Sequence, residues 1–217
     1  MKKTITIISL AIFASSCASV ANKPISSLEL SALSGKTITF TQRNKADFTA
    51  GTAGKAAFGA LGGLSAISAG NKIVTANDIA DPSQKMGEEL ATKFQETHAL
   101  KLLESVVTVT DENVDQIIQN TNEADYLIDV QTTWWGFGYQ PTDWSHYRVA
   151  YWAKTRLINL HTKKVVAEGG CRSNPTPKGN LPTLEDMLEN EAALLKSMIN
   201  AAASMCQKEM ENEVFKL

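Results

Sequence analysis

Residues 126–160 read YLIDVQTTWWGFGYQPTDWSHYRVAYWAKTRLINL. The first nine residues alternate. Ile128, Val130, Thr132 and Trp134 fall on one side, and Asp129, Gln131 and Thr133 on the other, which is the period of a strand. GFGYQPTD follows, rich in turn formers, and reads as a connecting loop. A second long strand is expected from about Ser145 to Leu160. His161-Thr162-Lys163-Lys164 turns the chain, and Val165 to Gly169 returns. The stretch therefore predicts a three-stranded antiparallel meander.

Working outward, KTITFT (36–41) and ESVVTVT (104–110) have the β-branched character of strands. Asp81-Pro82-Ser83-Gln84 is a helix start, and Met86, Leu90 and Phe94 then share one face. Asp111 caps a short helix with Val114, Ile117 and Ile118 on one side. Thr183 and Asp186 form a capping box for a long terminal helix. Its stripe is Leu184, Leu188, Glu191, Leu195, Met198, Ala202 and Cys206, in which Glu191 is the exception. Strand, helix, strand, helix, meander, helix predicts an α/β or α+β sandwich, a mixed sheet packed by helices with a long C-terminal helix.

Residues 50–70, AGTAGKAAFGALGGLSAISAG, hold one charge, Lys55. The stretch lacks the GxxxxGK[ST] of a phosphate loop. Gly59 and Gly63 make one GxxxG step, a pattern of close helix packing. Three readings stay open: a small-residue helix packed inside the fold, a loop, or a segment that inserts in a membrane or self-associates through Gly59 and Gly63.

The address lies at the start. Lys2 and Lys3 precede an apolar run from Ile5 to Phe13, then Ala14-Ser15-Ser16-Cys17. This is an export signal, too short to span a bilayer as a helix. Small residues ending on a cysteine resemble a bacterial lipobox, although Ala14 stands where leucine is common. That resemblance implies cleavage before Cys17 and acylation there, with chains such as palmitate, and two or more acyl chains anchor stably. Ala18 and Ser19 follow Cys17 rather than an aspartate. By the rule for such lipoproteins this implies the outer membrane, with the domain facing the periplasm. The expected organisation is signal peptide 1–16, acylated Cys17 and tether 17–34, and one domain 35–217.

Removing residues 1–16 leaves 19 basic against 23 acidic side chains, a net charge of −4. That balance argues against a nucleic-acid binder, which shows a basic excess. In an oxidising periplasm, Cys171 and Cys206 are a candidate disulfide, stapling the last helix to the third meander strand; two free thiols are the alternative.

All four tryptophans lie in 134–152. Tyr147 and Tyr151 are expected in the core, with Trp134 beside them. Trp135, Phe137, Tyr139 and Trp144, in or at the mouth of the loop, are candidates for binding, as is the row Arg148, Trp152 and Arg156 on the polar face of the second strand. Each has a structural alternative: a cluster that locks the loop, and a solvated face with an arginine stacked on Trp152. His98, His146 and His161 show no zinc spacing, so no metal and no cofactor is expected. Ser145 and His146 point to opposite faces of a strand and cannot act as nucleophile and base.

The segments Ala124-Asp125-Tyr126-Leu127, Arg156-Leu157-Ile158-Asn159 and Val165-Val166-Ala167-Glu168-Gly169 resemble uncharacterised proteobacterial lipoproteins with an ADYxxDVxTxxWGFxYxPTDWSHYRVxY block. That family carries no assigned activity. The layout is also similar to the periplasmic α/β domain of envelope-assembly lipoproteins such as the curli-secretion channel subunit. Together these imply a non-catalytic outer-membrane lipoprotein that binds a partner in envelope assembly or maintenance. A glycan- or lipid-binding module using the aromatic loop is the alternative, and an envelope hydrolase the third reading.

Overall fold

The computed structural model describes residues 22–217 apart from 57, 111, 112, 120, 122, 123 and 176–179. The expected signal, Cys17 and the residues up to 21 lie outside them.

The meander forms, and it is longer than the sequence suggests. In chain order the strands are β1 (Thr37–Arg43), β2 (Phe48–Gly51), β3 (Lys101–Leu102), β4 (Val107–Val109), β5 (Tyr126–Gln140), β6 (Asp143–Asn159) and β7 (Lys164–Ser173). The helices are α1 (Ser27–Ser31), α2 (Ala53–Ala56), α3 (Gly59–Ala76), α4 (Ser83–His98), α5 (Val114–Gln119) and α6 (Leu184–Glu209), the last running into a π-helical turn at Met210–Phe215. The seven strands form one mixed sheet of order β3-β1-β5-β6-β7, with β2 beside β5 and β4 beside β1. β1 runs parallel to β3, β4 and β5, β2 parallel to β5, and β5-β6-β7 are antiparallel. This is the expected class: a mixed sheet with an antiparallel meander, packed by helices, with a long C-terminal helix. No helix among the described residues is long and apolar enough to cross a membrane.

GFGYQPTD is not a loop. β5 continues to Gln140, and only Pro141 and Thr142 separate it from β6. Gly136 is there for close approach: a Cβ on it would stand 2.2 Å from the Thr49 carbonyl oxygen of β2. The register slips between Thr132 and Trp134, a bulge that puts two residues against one. Side chains after the slip change sides. Ile128, Val130 and Thr132 face the core before it, and Trp135 and Phe137 after it. Trp134, expected in the core, therefore lies on the opposite face, directly across from Trp152.

The inner face carries most of the helices. α4 packs on β1 and β5, α6 on β6, and the π-helical turn on β7. Gly169 makes room for that turn, since a Cβ there would stand 2.5 Å from Val214. Cys171 and Cys206 are joined in a disulfide, their Cα atoms 5.4 Å apart. The capping box at Thr183 and Asp186 is present. α6 is not one continuous helix, however. Asn190, Glu191 and Ala192 adopt left-handed backbone, with φ of 50°, 56° and 57°. The kink resets the stripe, so Glu191 is exposed and Ala192, Leu195, Ile199, Ala202 and Cys206 are buried.

The glycine-rich stretch resolves into β2, α2 and α3. The helix packs through Gly62, Ala66, Gly70 and Val74, at intervals of four. A Cβ on Gly70 would stand 2.0 Å from the Phe48 carbonyl oxygen of β2, and one on Gly62 1.8 Å from that of Lys55. Gly59 and Gly63 lie on the exposed side of the same helix.

Residues 22–34, expected as part of a tether, pack against the domain. Lys23 pairs with Glu168 on the edge of β7, Ile25 donates its N–H to the Val214 carbonyl, and Ile25 and Leu33 are buried. The strap covers a strand edge that would otherwise invite pairing with another chain.

Candidate functional site

The outer face of the sheet is mostly free of helices. Among the described residues α5 covers it, at one end, where Ile117 and Ile118 pack with Val109, Leu127, Ile158 and Leu160. Next to that cluster stands Asp129, fully buried. Arg156 on β6 is its direct neighbour across the strands, and Thr41 and Arg43 reach it from β1. Thr41 Oγ1 donates to Oδ1 at 2.9 Å and Arg43 Nε to the same oxygen at 2.8 Å, while Arg156 Nε donates to Oδ2 at 2.9 Å. Burial alone would raise this carboxyl; the hydrogen bond from Arg43 and the charge of Arg156 reverse that and hold it below the usual range. Arg156, expected on a binding row, is 4 % exposed and engaged here. It is part of the structure rather than of a surface.

Two rows further along β5 the face opens. Trp134 and Trp152 are a cross-strand pair with ring centroids 5.1 Å apart and planes at 39°. Arg172, opposite Trp152 on β7, places its guanidinium 4.8 Å from the Trp152 ring centre. An arginine on Trp152 was expected, but from Arg148 or Arg156. Both rings remain half-buried and Arg172 is exposed. Lys154 and Glu168 form an ion pair of 2.9 Å on one side. Arg148 lies on the other side, half-buried, and its Nε has no hydrogen-bond partner. Arg172 carried a signal in the sequence: if Cys171 points inward, its neighbour points outward, and the meander register places it beside Trp152.

The loop aromatics divide. Trp135 is fully buried. Its ring meets Phe48 edge-on at 4.9 Å and its Nε1 donates to the Ala46 carbonyl at 2.9 Å. Phe137 packs between Phe48 and Tyr147. As core residues these two present no surface, which corrects their placement in a binding lip. Tyr139 and Trp144 remain accessible. With Ala53, Gly54 and Ala56 of α2 they line an open cleft of about 500 Å³.

His146 Nδ1 stands 2.6 Å from Asp143 Oδ2, and the same aspartate accepts the Ser145 backbone N–H. Ser145 sits on the other side of the strand from His146, so the three do not form a nucleophile and its base. His161 contacts Asp125. The carboxyl of Asp125 is held at about 2, chiefly by the Thr37 backbone N–H at 2.8 Å and, against the opposing effect of burial, by His161 as well. Among the described residues, no group of three or more His, Cys, Asp or Glu is placed to hold a metal ion.

No protein-family model matches the chain. No curated protein matches it either. Solved structures similar to it include the hypothetical protein CT253 of Chlamydia trachomatis, 6 % identical over 82 % of this chain and 95 % of that one, with a TM-score of 0.43. The PelC dodecamer of Paraburkholderia phytofirmans is 10 % identical over 85 % and 93 %, with a TM-score of 0.33. Lipoprotein GNA1162 of Neisseria meningitidis is 13 % identical over 78 % and 99 %, with a TM-score of 0.29.

Proposed function

We propose that this protein is a non-catalytic lipoprotein of the outer membrane, anchored through Cys17 and facing the periplasm, which binds a protein partner of the cell envelope on the open face of its sheet. The contact residues are Trp134, Trp152 and Arg172, flanked by Arg148 and Lys154. The observation that carries the reading is the contrast within that face. Its charged centre at Asp129 is closed and satisfied, while two tryptophans and an arginine beside it stay accessible. Tryptophan and arginine are the residue types over-represented among the strongest contacts of protein interfaces. Residues 17–21 are the tether in this reading, and the domain begins at Asn22.

A photo-crosslinking side chain at position 152 of the full chain, in growing cells, tests it. The expected result is a discrete crosslinked species absent at the helix position Lys196 and lost in R172E. Equal crosslinking at 152 and 196 would sink the proposal. A glycan-binding module is the second reading, favoured by the tilted tryptophan pair with polar groups at its sides. In that case soluble peptidoglycan fragments would quench the tryptophan emission saturably, and W152A would abolish the quenching.

A further inference from the structure

We infer that the end of the domain around the β5–β6 turn is a foot that docks on the lipid surface, so that the sheet lies low against the bilayer instead of standing away from it. The inference rests on the Cys17 anchor proposed above. At this end Phe58, Leu61, Leu64 and Trp144 are 72 %, 75 %, 68 % and 69 % exposed. They make up half of the eight large apolar side chains exposed among the described residues. They also belong together. Trp144 shares its cleft with Ala53, Gly54 and Ala56, and Gly62 stands against the Lys55 carbonyl, placing the first turns of α3 beside α2. No described residue between Lys55 and Lys72 is charged. The indole N–H of Trp144 already donates to the Pro141 carbonyl at 3.2 Å, so its outer surface is apolar and asks for no further partner.

The occupant follows from where the chain leaves the fold. Lys23 pairs antiparallel to Glu168 on β7 and Asn22 meets Gly170, so the described strap has its N-terminal end toward the Ser173 end of that strand. The β5–β6 turn lies beyond that end. Between Cys17 and Asn22 there are five peptide steps, which span at most about 18 Å. Asn22 is level with Gly170, paired with Lys154, and from there to Trp144 is about 33 Å along β6. An anchored domain with its turn at the bilayer therefore cannot stand upright on this tether. It must lie inclined, with the uncharged end of α3 and Trp144 at the lipid surface, where tryptophan is favoured.

Lipidated full-length protein in vesicles of phosphatidylethanolamine and phosphatidylglycerol with brominated acyl chains provides the test. Expected is quenching of tryptophan emission by the bromines, lost in W144F and weakened in L61S/L64S, with all variants still membrane-bound. A bound protein whose emission ignores the bromines overturns the foot and leaves the anchor standing. If Trp144 is shielded from bromine and from aqueous iodide while the protein elutes at twice its mass, the surface is an interface between copies and the foot is overturned. If wild type and C17S both fail to bind vesicles, the anchor falls, and the foot with it.

Discussion

Trp135 and Trp144 stand nine residues apart on one hairpin and have opposite surroundings. Trp135 is enclosed by Phe48 and the Ala46 carbonyl; Trp144 has its ring in the open. The difference lies in what the neighbouring chain does. β2 joins the sheet beside Trp135 and brings Phe48 onto its ring, whereas Trp144 stands at the end of the hairpin in an open cleft shared with Tyr139 and the small residues of α2. The outer face repeats the contrast, with Asp129 closed and Trp152 open. Aromatic residues of one type, in one stretch, serve as core and as surface according to strand register and the strands alongside.

Substitution at the closed positions should have the largest effect. Trp135→Ala removes a fully buried ring and its hydrogen bond, and should cost ~3–5 kcal/mol in a denaturant titration. A loss below 1 kcal/mol would break the comparison. Asp129→Asn leaves Arg43 and Arg156 facing a neutral group in a buried setting, and the expected cost is on the order of 3–5 kcal/mol. The urea midpoint of this variant should fall much further than that of Lys154→Gln, whose ion pair is exposed at its edges.

Acid offers a milder probe of a closed site. The carboxyl of Asp125 sits at about 2 in the folded chain against an ordinary 3.8, so its contribution is complete above about pH 4 and lost as pH falls through 2. The linkage is worth roughly 2 kcal/mol at most, because the site is partly exposed. Asp125→Asn should flatten the stability profile across that window, and an unchanged profile would show that Thr37 and His161 do not hold the charge.

At the open positions stability should hardly respond. Arg172→Ala loses a cation–π contact worth ~0.5–1 kcal/mol. Trp144→Ala should shift stability by less than ~0.5 kcal/mol. A cooperative loss of structure in W144A, read by thermal unfolding, would mean that the open end is a satellite core.

The meander, the capped final helix and the Cys171–Cys206 bond were legible because each depends on local periodicity or on a pair of residues. What could not be read depends on neighbours distant in sequence. Gly136 looks like a turn residue until β2 is seen lying against it. The slip at Thr133 leaves no mark in the alternation, yet it exchanges Trp134 for Trp135 in the core. The turn at Asn190–Ala192 contains no glycine, and Glu191 in an apolar stripe was its only sign. Of the binding candidates, Tyr139, Trp144, Arg148 and Trp152 reach the surface, while Trp135, Phe137 and Arg156 do not. Burial on a sheet face is decided by the third dimension that strand alternation omits.

The strap of residues 22–25 has a mechanical consequence. A pull on the chain upstream of Asn22 enters the fold through the Lys23–Glu168 pair on β7 and the Ile25–Val214 hydrogen bond at the C-terminal turn. Three residues past Glu168, the Cys171–Cys206 bond ties β7 covalently to α6. Tension arriving at the sheet edge is thus shared with the final helix, and β7 cannot be peeled away alone. Reduction of that bond should lower the force at which the domain first yields under load from its N-terminus.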